Sequence, residues 1–189
     1  MALNFTKEHK DALKIADIIM HTLPVCSERK ISYSTFTIVD VDAQGNTTIL
    51  NYDNPECIIM RGTELFRPEW EEIVLRDDSN PDNPHKELRT CSFAAQKEDR
   101  IVLMTDGITQ SGLGRGTYLL GWGLENVEKM VEKTVAEHPG ISASKLASMI
   151  VNKAHGNDGY QAKDDTSAAV IYCRDPRKLL ICSGPPYEK

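Results

Sequence analysis

The chain has no cysteines at a spacing that ligates metal or builds a disulfide framework. Its five cysteines, Cys26, Cys57, Cys91, Cys173 and Cys182, are odd in number, far apart and without a C-x-x-C pair. That excludes a disulfide scaffold and a zinc site as organising elements, and predicts reduced, mostly core thiols in a cytoplasmic protein. The five histidines, His9, His21, His85, His138 and His155, show no H-x-x-x-H or other ligand spacing, so none is a candidate ligand or catalyst. No apolar run approaches the ~20 residues needed to span a bilayer. The opening MALNFTKEHK lacks the apolar stretch of a signal peptide, so no membrane association is expected. Positive charge is scarce too: 22 Lys and Arg against 28 Asp and Glu leave a net charge of −6, and without clustered basic residues nucleic acid is not an expected partner. Ser111 has no G-x-S-x-G context, which leaves an acyl-transfer hydrolase unsupported. The loop SGLGRG (Ser111 to Gly116) neither follows G-x-G-x-x-G nor carries the lysine of a phosphate-binding loop.

What remains is an ordinary globular composition, 40% hydrophobic and 26% charged over 189 residues, enough for one domain with a sizeable core. Apolar residues at helical spacing from Thr6 to about Leu23 predict an amphipathic helix, with Thr6 as N-cap and Pro24 as stop. ISYSTFTIVDV, the loop DAQGN and TTILNY predict a β-hairpin, and ECIIMRG predicts a third strand ending at Gly62. Glu69 to Glu87 reads as an exposed insertion, because RDDSNPDNPHKE is dense in loop-forming Asp, Asn and Pro. YDNP, with Asp53 and Asn54, reads as a turn. LRTCSFAAQKEDR predicts a short strand and a turn, then RIVLMT a buried strand, followed after Gly107 by a loop. Helices are predicted over about Leu124 to Glu137 and from an N-cap at Ser142, and TSAAVIYC closes the pattern as a buried strand. Trp70 and Trp122 are expected to anchor loops to the core. Strands and helices grouped in blocks, instead of alternating, indicate an α+β layered fold.

One feature of this pattern is chemically unusual. The apolar strand IVLMT runs straight into Asp106-Gly107, and Asp164-Asp165 stands immediately before the closing strand. In an antiparallel sheet the end of one strand lies beside the start of its neighbour, so these carboxylates can meet at one sheet edge. Converging carboxylates repel unless a cation neutralises them, and hard Mg²⁺ or Mn²⁺ ions take oxygen ligands while retaining activatable water. Gly107 would let a ligand come close to the backbone. Asp-Gly is equally a common turn pair, so spacing alone leaves the metal reading and the plain-loop reading both open.

DRIVLMTDGITQSG followed some sixty residues later by KDDTSAAVIY, with YSTFTIVDVDAQGNTTILNYDNPECIIMRG upstream, resembles the protein phosphatase 2C superfamily, and within it the stage II sporulation protein E-like serine/threonine phosphatases. The resemblance covers about Pro24 to Cys173. It implies an α+β sandwich of antiparallel sheet and helices, and hydrolysis of phosphoserine or phosphothreonine on a protein by metal-activated water, without a covalent intermediate. By position, Asp106 matches the metal-ligating aspartate of the family's strand-ending Asp-Gly and Asp164 the first acidic residue of its terminal motif. These two are the candidate catalytic and metal residues. Gly107 completes the first motif, and Asp165 is an adjacent supporting carboxylate. The implied cofactors are two Mn²⁺ or Mg²⁺ ions, and Arg115 is a candidate substrate contact on the loop after Gly107. The implied partner is a phosphorylated signalling protein, such as an anti-sigma-factor antagonist.

The sequence departs from the family at one point. Members carry a further Asp-Gly near the N-terminus, whereas here Asp-Gly occurs only at Asp106 and at Asp158-Gly159. The domain is therefore expected to be incomplete at its N-terminal side, spanning residues 1–176, with 177–189 a tail or the start of a further segment. Weak or absent activity of a fragment is the consequence, as is homodimerisation through an unpaired sheet edge. The alternative is a non-catalytic, phosphatase-like module that binds a phosphoprotein or signalling partner.

Overall fold

The computed structural model describes residues 12–22, 35–42, 44–76, 85–114, 118–161 and 164–174. In chain order the elements are α1 (Ala12–Thr22), β1 (Phe36–Val41), β2 (Asn46–Tyr52), β3 (Ile58–Arg61), β4 (Glu64–Phe66), β5 (Glu71–Arg76), β6 (His85–Ala94), β7 (Arg100–Met104), α2 (Asp106–Thr109), α3 (Leu124–Glu137), α4 (Ala143–Asn157) and β8 (Ala168–Tyr172). They form two compact units, one built from residues 1–54 and 68–94 and the other from 55–67 and 95–189. Each holds one antiparallel sheet packed by helix, as the α+β expectation requires.

The first unit carries the sheet β1-β2-β6-β5. The predicted hairpin pairs Ile38 with Leu50 and Val39 with Ile49. Alternation decides which side chains meet α1: Leu50, Leu88, Ile38 and Ile73 pack with Ala16 and Leu13, while Ile49 and Cys91, paired across β2 and β6, lie on the opposite face and are buried as well. Burial on both faces explains why TTILNY is apolar at consecutive positions. The region expected to be one exposed insertion holds strand β5, which pairs Ile73 with Leu88 and Leu75 with Lys86. Composition dominated by the Asp/Asn/Pro stretch masked the β-branched run EEIVLR before it, and the partner β6 is a ten-residue strand, not a short one. Thr6 and Pro24, the expected helix signals around α1, lie outside the described residues.

The second unit carries the sheet β4-β3-β7-β8. Ile58, Met60, Val102 and Met104 project to one face and pack with Val127, Val131 and Val135 of α3 and Leu146, Ile150 and Ala154 of α4. The 3.6-residue spacing of those helix residues is what makes α3 and α4 legible. Ser142 caps α4, its hydroxyl accepting from Lys145 N at 3.2 Å. Two buried charges fix the rim. Asp99, fully buried, accepts from Arg61 Nη2 at 3.1 Å and from Gln96 N at 2.8 Å, which satisfies a carboxylate that burial would otherwise penalise heavily. Arg100 donates to the Pro139 carbonyl beyond α3 and lies 4.4 Å from the Tyr172 ring centroid, tying the α3–α4 corner to the sheet. Arg67, just past β4, grips Glu128 of α3 through two hydrogen bonds of 2.9 and 2.8 Å. Among the described residues Cys57, Cys91 and Cys173 are reduced thiols, outside any disulfide, and burial, with Asp99 nearby, pushes the Cys173 thiol up.

The β1–β2 turn is held by one carboxylate. Asp42 accepts from Asn46 Nδ2 at 2.7 Å and from the Gln44 and Asn46 amides at 2.8 Å each. The Asn46 side chain foremost, and these backbone amides with it, hold the Asp42 carboxyl below the usual aspartate range. A carboxyl lowered in the folded state contributes stability above its unfolded pKa and loses it as pH falls through the folded value. Following Asp42 and the hairpin amides by NMR during acidification should show Asp42 titrating below free aspartate and the turn loosening with it; titration at or above the free value would contradict this.

Candidate functional site

Strand β7 is buried along almost its whole length, so the residues after Met104 take their positions from the core. Thr105 is the N-cap residue of α2 but makes no side-chain cap bond. Its hydroxyl donates to the Asp165 carbonyl at 2.6 Å and accepts from Ser167 N at 3.0 Å, while its own amide donates to Ser167 O at 3.0 Å. This threonine stitches the end of β7 to the segment entering β8, continuing the ladder that pairs Met104 with Ala168.

The loop expected after the strand is instead a short helical turn, α2, that begins at Asp106 itself. Asp106 is half-buried. Its carboxylate Oδ2 accepts from Gln110 Nε2 at 3.0 Å, one helical turn on. Gly107 is buried, and a Cβ there would lie 2.6 Å from the Asp165 carbonyl oxygen and 3.5 Å from the Asp164 carbonyl carbon. No side chain fits in that gap, so glycine is what allows the 164–165 backbone to cross the first turn of α2. Asp164 and Asp165 are both exposed. Asp164 Oδ1 accepts from Asp165 N at 2.8 Å, and the Asp164 carbonyl from the Thr166 hydroxyl at 3.1 Å.

The two acidic motifs thus meet at one end of the β7–β8 pair, through backbone contact at Gly107 and the Thr105 hydroxyl. Carboxylate oxygens are the donors a hard divalent cation prefers. The number of converging donors is smaller than the chemistry asks for: among the described residues no group of three or more His, Cys, Asp or Glu side chains is placed to hold a metal ion. Arg115 lies outside the described residues. Asp158, the other Asp-Gly aspartate, is buried and structural, accepting from Gly112 N at 2.8 Å at the end of α4.

Three contributors were not singled out from sequence. Gln110 becomes visible once TDGITQ is read as a helical turn, since it stands four residues after Asp106. Thr105 carries no sequence signal, because its partners lie sixty residues away. Gly121, at φ +88°, backs directly onto α2, where a Cβ would stand 2.8 Å from Thr109 O and 2.9 Å from Gln110 Cα. Trp122, expected to anchor its loop, is buried in the core of this unit.

Comparison with known proteins gives a consistent picture. The chain matches the family model described as stage II sporulation protein E (SpoIIE) over residues 3–174. It is similar to the phosphatase domain of the cell fate determinant SpoIIE from Bacillus subtilis, with a TM-score of 0.59 at 13% identity over 93% of this chain and 80% of that one. A manganese-presoaked structure of that domain gives 0.57 at 13% identity, covering 89% and 76%. A crystal form of it without domain swapping gives 0.55 at 15%, covering 99% and 72%. The curated proteins gave no match. The matched span reaches from ahead of α1 to the end of β8, and the chain belongs to the SpoIIE family of protein phosphatase 2C-like phosphatases and carries their fold.

Proposed function

We propose that the chain serves the hydrolysis of phosphoserine or phosphothreonine on a signalling protein, such as an anti-sigma-factor antagonist, with Mn²⁺ or Mg²⁺ as cofactor. The observation that carries this reading is the close approach of Gly107 to the Asp165 backbone, which brings Asp106 and Asp164-Asp165 to one sheet end. Asp106 and Asp164 would hold the cation, with Asp165 beside them. A divalent ion bound there supplies charge neutralisation and a water acidic enough to yield hydroxide near neutral pH. The chain's own residues set the geometry. Thr105 locks the two acidic segments in register, Gln110 orients the Asp106 carboxylate through Oδ2, and Arg115 is proposed as a contact for the substrate phosphate.

A second reading, a non-catalytic module that binds a phosphoprotein, is favoured by the shortage of a third converging ligand among the described residues. Turnover separates the two. With p-nitrophenyl phosphate and Mn²⁺, the chain extended upstream to include the family's N-terminal Asp-Gly should show metal-dependent hydrolysis that Asp106→Asn and Asp164→Asn each reduce by about a hundredfold or more. Absence of any metal-dependent turnover by that extended chain would overturn the catalytic reading and leave the module.

Gly107→Ala probes the crossing itself. Pushing a methyl against the Asp165 carbonyl forces the backbone apart, so this variant should lose about 1–3 kcal/mol in urea denaturation and most Mn²⁺-dependent activity. Wild-type stability and activity would show that the crossing is not what assembles the site.

A further inference from the structure

The aspartate of the second Asp-Gly pair stands where a carboxylate is doubly disfavoured. Asp158 is 4% exposed, and burial penalises the charged form of a carboxylate. It is also the C-cap residue of α4, at the negative end of the helix dipole, where an anion is repelled. A residue kept against two local preferences ordinarily has a specific contact to make. That contact is the Gly112 amide, which donates to Asp158 Oδ1 at 2.8 Å between two buried residues. The preceding residue adds a second clasp, Asn157 Nδ2 donating to Ser111 Oγ at 3.2 Å. The two segments lie against each other there: a Cβ on Gly112, at φ +77°, would stand 3.3 Å from the Asn157 Cβ.

What these contacts hold is the exit of α2. Ser111 N donates to Ile108 O at 3.3 Å and Gln110 N to the Asp106 carbonyl at 2.8 Å, while Ile108 shares a core with Ile150 and Ala154 of α4. Asp106 opens this four-residue helix, and the Gln110 side chain that follows it donates to the Asp106 carboxylate. A helix of one turn has too few internal hydrogen bonds to fix its own position, so its place is set by what grips its two ends. Thr105 grips the entry, through Asp165 and Ser167; Asn157 and Asp158 grip the exit. The Asp158 carbonyl also accepts from Gln161 N at 3.3 Å, at the start of the link to Asp164, six residues on. We propose that Asp158 is a positioning residue for the cation site, fixing α2, and with it the Asp106 carboxylate, against the end of α4; this rests on the reading of Asp106 and Asp164 as cation ligands.

The test compares the 189-residue chain with Asp158→Ala, Asp158→Asn and the milder Asn157→Ala, by amide hydrogen exchange without metal and by Mn²⁺ titration. Asp158→Ala leaves the Gly112 amide buried without this acceptor, so exchange at Gln110 and Ser111 should speed up by about tenfold or more, while the α3 amides of Val131 and Val135 keep their protection. Mn²⁺ affinity should fall by about tenfold, as when a group that orients a metal ligand is lost. Asp158→Asn keeps an oxygen for the Gly112 amide and should restore both readouts, and Asn157→Ala should move both in the same direction as Asp158→Ala but less. Unchanged exchange at Gln110 and Ser111 in Asp158→Ala, or acceleration there with Mn²⁺ affinity unchanged, overturns the inference. So does equal acceleration at Val131 and Val135, the sign of a residue that serves global stability alone. Should Asp158→Ala fail to fold, Asn157→Ala decides by the same two readouts. A wild-type chain that binds no Mn²⁺ sinks the cation reading, and the positioning of α2 by Asp158 then stands or falls on the exchange pattern.

Discussion

Everything at the candidate site hangs on one steric constraint: the backbone at Asp164-Asp165 passes so close to Gly107 that no side chain can stand between them. Core packing sets that approach. Strand β7 is buried at the centre of its sheet and antiparallel to β8, so the end of one must lie beside the start of the other. The Thr105 hydroxyl, spent on Asp165 and Ser167 instead of capping α2, converts proximity into a fixed register. The backbone of both acidic segments thereby takes its position from the paired strands.

The second unit also shows how such an end is kept rigid. Arg100 ties the α3–α4 corner to β7, Asp99 and Arg61 close the same rim beside it, and Arg67 pins α3 through Glu128. Each of these joins a helix or turn to a strand with a charged group whose partners are satisfied. Removing Arg61 would leave the Asp99 carboxylate buried without its countercharge, which is costly.

Much of this was legible in the sequence, for physical reasons. The β1–β2 hairpin, β7, α3 and α4 declare themselves through alternation, apolar runs and 3.6-residue spacing, all local properties, and Ser142 caps α4 as its chemistry predicts. Asp106 and Asp164 stood out because acids at the ends of apolar strands are unusual. What stayed hidden depends on contacts between distant segments. Strands β4 and β5 are short or charge-bearing edge strands whose pairing, Met60 with Leu65 or Ile73 with Leu88, no local pattern announces. The helical turn at Asp106 was obscured by Gly107, read as a loop-former when its role is to clear space for a neighbouring backbone. Thr105 and Gln110 gain their roles only once that turn and the β8 crossing exist.

The central claim is that Asp106 and Asp164 share one cation site. Paramagnetic Mn²⁺ reports this directly, because it broadens the NMR signals of nuclei near it. Titrating the isotope-labelled chain with substoichiometric Mn²⁺ should broaden the amides of Asp106, Gly107, Asp164 and Asp165 together and before any others. Broadening of only one of the two segments, or of scattered surface acids such as Glu71, Glu72 and Glu125 with these four unaffected, would contradict it.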